Sequence, residues 1–191
     1  MPSLMNSFLK VRYIKPKLKL RNKKELYELL VGVVMPIALT TSTKKIRDCL
    51  FEPTFYKVIQ GGASASKTFS IMILLVSYAE SYPNSLITVA GMTYNHLATG
   101  TIRDMKKILE ETNRWEPERY NKTEKIYYFP NGSQIEFLSV DNMTSRGPRR
   151  DVLFVNEANG LNYETFDQLA TRTRDFVILD YNPSAKFWAH E

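Results

Sequence analysis

Eight consecutive residues, Gly61-Gly62-Ala63-Ser64-Ala65-Ser66-Lys67-Thr68, combine small side chains with an ammonium and a hydroxyl at their end. Small side chains let main-chain N–H groups close around a polyphosphate, the helix expected to start near Lys67 turns its positive end toward it, and the ammonium reaches the β/γ oxygens. The run matches the phosphate-loop pattern G-x-x-x-x-G-K-[ST], with Ser66 in place of the second glycine. Residues 61–68 are therefore the candidate nucleotide-binding residues, with Gln60 and Tyr56 just ahead expected to border the adenine. Thr68 would offer its hydroxyl to Mg²⁺.

About 90 residues downstream, Asp151-Val152-Leu153-Phe154-Val155-Asn156-Glu157 reads as an apolar strand that ends in an acid. Asn156 stands where P-loop ATPases hold magnesium through an aspartate, and it can offer only a neutral oxygen or a hydrogen bond to metal-bound water. Glu157 is the candidate base, placed to orient or deprotonate the water that attacks the γ-phosphoryl. The cofactors that follow are ATP and Mg²⁺.

These groups need a scaffold. Tyr56–Gln60 is a β-prone run entering the glycines, and the apolar stretch Phe69–Tyr78 is long enough for a buried helix. Leu86–Ala90, Val152–Val155 and Phe176–Leu179 are apolar strands without polar alternation, and Leu97–Glu111 and Asn162–Thr171 are helical. Strands of this kind separated by helices predict a mainly parallel sheet covered on both faces. Asn131-Gly132 between Lys125–Phe129 and Gln134–Leu138 predicts a β-hairpin beside it. Lys23–Met35 reads as one more helix, stopped by Pro36.

The chain has 191 residues, 43% of them hydrophobic and 24% charged, which suits one domain able to bury a core. Its net charge of +6 is unevenly placed: residues 1–24 hold eight basic side chains and no acid, leaving 18 basic and 20 acidic residues in 25–191. A basic arm at 1–24 is thus set against a nearly neutral body, and the arm either touches phosphate or is a solvated tail. Cys49 is the one cysteine, so an internal disulfide is excluded and an intracellular setting expected. The apolar run Leu29–Leu39 is about half the length a bilayer requires, so no membrane span is expected. His96 and His190 lack partners at ligand spacing for zinc.

The loop, the segment Phe154-Val155-Asn156-Glu157-Ala158-Asn159, and Leu179-Asp180-Tyr181-Asn182-Pro183-Ser184 follow in an order that resembles the ATPase domain of the terminase large subunit of tailed bacteriophages, over about Phe51 to Trp188. The resemblance implies an ASCE-type P-loop NTPase occupying 25–191 that powers packaging of double-stranded DNA into procapsids. It implies portal and small terminase partners, a homo-oligomeric ring when assembled, and action in the host cytoplasm. The family's nuclease domain is expected to be absent. Carried over, Lys67 and Thr68 bind phosphate and magnesium, Glu157 is the base, and Asn182 senses the γ-phosphate and couples hydrolysis to movement. Many members carry an arginine at the position of Ala63 and an aspartate at that of Asn156, so slow turnover is expected. Arg146 is the candidate arginine reaching a neighbouring subunit, with Arg149 and Arg150 expected to face solvent more than it does. A nucleotide-binding interaction module with little turnover, or another P-loop enzyme such as a helicase fragment, are the alternatives.

Overall fold

Apolar residues on both sides of a strand demand cover on both faces, and the computed structural model provides it. It describes residues 40–50, 52–62, 66–142, 147–183 and 186–190; the basic arm, the expected helix at 23–35, loop residues 63–65 and Arg146 lie outside the described residues. Seven strands form one sheet: β1 (Tyr56–Gln60), β2 (Leu86–Gly91), β3 (Tyr120–Asn121), β4 (Ile126–Tyr128), β5 (Gln134–Ser139), β6 (Arg150–Val155) and β7 (Thr173–Tyr181). Their order across the sheet is β1-β7-β6-β2-β5-β4-β3. The first five in that order are parallel, and β4 and β3 are antiparallel additions at the far edge.

Alternate residues of each central strand go to different cores. Val152, Phe154 and Ile178 join a cluster with Ile71, Leu75, Met105 and Ile108 from α2 (Lys67–Ser81) and α4 (Arg103–Glu111). Their neighbours Leu153, Val155, Val177 and Leu179 face Phe166 and Leu169 of α5 (Tyr163–Ala170). α1 (Thr41–Leu50) packs on α2, and the Thr43 hydroxyl meets that of Ser70 at 2.8 Å. Among the described residues no helix is long and apolar enough to cross a membrane.

The hairpin forms where expected, with its turn closed by Phe129 N–H to Ser133 O at 2.8 Å. Gly132 is required there: its φ is +84°, and a Cβ would meet the Asn84 side chain at 2.4 Å. The single helix read over Leu97–Glu111 is instead three pieces. Tyr94–Leu97 (α3) passes through a π-helical turn, Ala98–Ile102, before α4 begins. Gly100 lies within that turn, and the Thr101 hydroxyl bonds back to Leu97 O at 3.3 Å, so the ladder is loosened where backbone constraint is weakest. Arg149 is exposed as expected, but Arg150 is not. It opens β6, is fully buried, and donates from Nη2 to Pro148 O at 3.1 Å; burial pushes its guanidinium pKa down.

Candidate nucleotide-binding site

Parallel strands deliver their carboxyl ends to one edge, and register decides which residues share a level. Ile59 pairs with Asp180 and Gln60 with Tyr181, while Val155 pairs with Leu179, which puts Asn156 level with Asp180. Because β7 lies between β1 and β6, the chain leaves all three strands side by side: into Gly61, into Asn182 and into Asn156. This insertion of one strand between the loop strand and the acid strand is the ASCE-type arrangement.

The loop's last residue, Ser66, has φ 51° and ψ 25°, the left-handed region where the pattern ordinarily has glycine. A non-glycine residue there costs about 1–2 kcal/mol, partly offset by the smaller entropy serine loses on folding. Ser66→Gly is therefore expected to raise the melting midpoint by about 1–4 °C, while the β-branched Ser66→Val lowers it. Thermal denaturation checks this, and a glycine variant that melts below the parent contradicts it.

Lys67, 8% exposed, opens α2 and folds back over the loop. Its Nζ donates to Gly61 O at 2.7 Å, Gly62 O at 2.9 Å and Asn182 Oδ1 at 2.9 Å, which uses all three ammonium donors. Next to it, Thr68 Oγ1 donates to Asp180 Oδ2 at 2.8 Å. The other Asp180 oxygen accepts from Asn156 Nδ2 at 3.1 Å and from the Glu157 N–H at 2.8 Å. Asp180 is 2% exposed, and burial pushes its carboxyl above the usual carboxylate range, opposed by these hydrogen bonds and by the Lys67 charge.

Glu157 also has a left-handed backbone, φ 53° and ψ 55°, held by its N–H on Asp180. The turn lifts its side chain out of the sheet, so that it is 58% exposed beside a cleft of about 250 Å³. Ser66, Thr68, Asp104, Asp180 and Asn182 line the same cleft. His96 of α3 brings Nδ1 to 3.9 Å from Glu157 Oε2.

The structure thus brings together Gly61, Gly62, Ser66, Lys67, Thr68, Asn156, Glu157 and Asn182. Asn156 meets the others through its amide nitrogen, which faces Asp180 Oδ1 and Thr68 Oγ1; a carboxylate can only accept, so of the two roles expected of Asn156, a neutral oxygen or a hydrogen bond to metal-bound water, its nitrogen is already turned to donate. Gln60 interacts with Tyr181, accepting from its hydroxyl at 3.2 Å. Tyr56 is not at the cleft: it starts β1, at the opposite end from the loop, and packs on Phe55 and Phe166. The sequence weighs His96 only as a zinc ligand and offers no role for Asp104 or Asp180. The first two come from helices whose approach no local pattern announces. Asp180 was hidden by a strand read as ending at Leu179, where β7 continues to Tyr181.

The donor set fits a divalent cation that arrives with a nucleotide. Thr68 and Asp180 supply hard oxygens side by side, while no group of three or more His, Cys, Asp or Glu side chains among the described residues could cage an ion alone. Mg²⁺ favours that division, taking one or two carboxylates and completing its shell with water and phosphate.

A family described as phage terminase large subunit matches residues 53–188. The fold is similar to that of the large terminase from a thermophilic bacteriophage, with a TM-score of 0.63 and 13% identity over 77% of this chain and 40% of that one. The same bacteriophage's large terminase in complex with ATP-γ-S is similar at TM-score 0.54 and 13% identity, covering 84% of this chain and 38% of that one. The large terminase ATPase domain of a Thermus phage gives 0.58 and 12%, covering 87% and 71%. The chain thus spans about two fifths of the length of the thermophilic bacteriophage protein. No curated protein matches it by sequence.

Proposed function

The chain belongs to the phage terminase large subunit family, and from that premise we propose that it is an ATP-hydrolysing motor domain that powers packaging of double-stranded DNA into procapsids. One observation carries the proposal: Lys67, Thr68, Glu157 and Asn182 converge on one cleft from three neighbouring parallel strand ends. The likeness to an ATP-γ-S-bound terminase supports ATP as the ligand.

The phosphates of ATP would take the Lys67 donors now given to the Gly61 and Gly62 carbonyls, opening the loop as they bind. Asn182 shares that ammonium, so it registers whether a phosphate is present and passes the change to the segment after β7. Glu157, exposed at the cleft's rim, accepts the proton of the attacking water. Thr68 would help hold Mg²⁺, which supplies charge neutralisation at the transferred phosphoryl group. Arg146 in trans would add a positive charge there, from a neighbouring subunit of a homo-oligomeric ring. DNA contacts would be to the phosphate backbone, since packaging must ignore sequence. Portal and small terminase subunit are the proposed partners, at the procapsid in the host cytoplasm.

The amide at Asn156, where an acid is usual, favours a second reading: a binding module that holds ATP and hardly cleaves it. Phosphate release with ATP and Mg²⁺ across protein concentration separates the two. The motor reading expects a rate per subunit that rises with concentration. Tight nucleotide binding with no release at any concentration selects the binding module, and no binding at all overturns both.

A further inference from the structure

A P-loop ATPase needs a carboxylate beside the loop hydroxyl to hold its cation, and the strand that ordinarily leads into it leads here into Asn156. The charge has not left the site. One strand closer to the loop, β7 carries Asp180 as its penultimate residue, at the level of Asn156, and the two side chains touch, Asn156 Nδ2 to Asp180 Oδ1 at 3.1 Å. Its second oxygen, Oδ2, accepts the hydrogen bond of Thr68, the hydroxyl that would ligate the cation. Asp180 is nine-tenths or more buried at the floor of the cleft that Lys67 and Glu157 share. With Asn156 neutral, it is the carboxylate in direct contact with Thr68. A buried charge is costly without a close counter-charge; Lys67 opposes the Asp180 charge through space, but its three donors go to the Gly61, Gly62 and Asn182 oxygens.

We propose that Asp180 is the carboxylate that holds the nucleotide-bound divalent cation, replacing an acid at the end of β6, with Asn156 as the positioning residue that aims it. The inference rests on the nucleotide-binding reading of the cleft. It assigns the cation site to β7, the strand that leads into Asn182. The segment proposed to sense phosphate therefore begins two residues after a cation ligand, so loss of the cation and movement of Asn182 share one strand end.

A simple alternative is that Asp180 only pins the Glu157 turn and the start of α2. The two differ in what removing its charge does. Mn²⁺ serves as the probe, its unbound ion counted by electron paramagnetic resonance in titrations of the full chain with saturating ADP. Fluorescent ADP in EDTA gives the metal-free nucleotide affinity. Asp180→Asn is expected to weaken Mn²⁺ binding at least ~10-fold while the EDTA affinity changes less than ~3-fold. The double variant Asn156→Asp with Asp180→Asn, which moves the carboxylate across one strand, is expected to regain most of the loss. Parental Mn²⁺ affinity in Asp180→Asn, or equal losses with and without metal, overturns the proposal. Should the variants fail to melt cooperatively, anomalous scattering from Mn²⁺ in crystals of the parent with ADP decides it. The ion is expected within about 4.5 Å of an Asp180 oxygen, directly or across one water; an ion farther away overturns the assignment. If the parent binds no ADP, it is the nucleotide-binding reading that fails.

Discussion

Lys67→Ala is expected to lower nucleotide affinity by at least ~100-fold and to abolish turnover. Hydrogen bonds to a charged group contribute about 1.5–3 kcal/mol each, and a 100-fold loss corresponds to about 2.7 kcal/mol, so losing one or two phosphate contacts suffices. The substitution also removes the three bonds that join Gly61 and Gly62 to Asn182 across the sheet edge. The nucleotide-free protein should therefore lose some stability as well. Lys67→Met keeps most of the buried stem and removes only the charge, and it should lose nucleotide affinity to a similar extent. Titration with a fluorescent ATP analogue checks both variants, and unchanged affinity in either removes the phosphate-loop assignment.

Glu157→Gln should behave in the opposite way, holding ATP while turnover falls about 10²- to 10⁴-fold, the usual worth of a positioned base. The side chain's one ion-pair contact among the described residues is the exposed approach to His96 at 3.9 Å. What shapes the turn is the Glu157 main chain, left-handed and bonded through its N–H to Asp180. Glutamine preserves that bond and the size of the side chain, so the fold and the nucleotide affinity are expected to stay within a few-fold of the parent. Single-turnover phosphate release, with bound nucleotide measured in parallel, is the check. Release at the parental rate means that another group accepts the proton; Asp104, on the same cleft, is then the next residue to replace.

Much of this arrangement was legible in the residues because the signals were local. A glycine pair before Lys67 and Thr68 marks a strand, a turn and a helix start. The unbroken apolar run 152–155 calls for a strand covered on both faces, and Asn131-Gly132 marks a hairpin. What could not be read depended on partners distant in sequence. Arg150 belongs by type to a charged turn, yet pairing of β6 with β7 at Arg150 and Thr173 draws it inside. Tyr56 is near the loop in sequence, but a five-residue strand carries it to the other end of the sheet. The role proposed for Asp180 depends on β7 lying between β1 and β6, a fact of strand order that no spacing along the chain reveals. Within the loop the substitution of serine for glycine was visible, whereas its left-handed backbone was not.

Hydrogen exchange followed by mass spectrometry, with and without saturating ATP-γ-S and Mg²⁺, tests most directly whether main-chain amides of residues 61–68 grip the phosphates. Amides in peptides spanning 61–70 are expected to slow by at least ~10-fold on binding, with a smaller effect at 180–183, where Asn182 shares the Lys67 ammonium. Exchange unchanged across 61–70 in protein shown to be saturated with nucleotide would contradict the account.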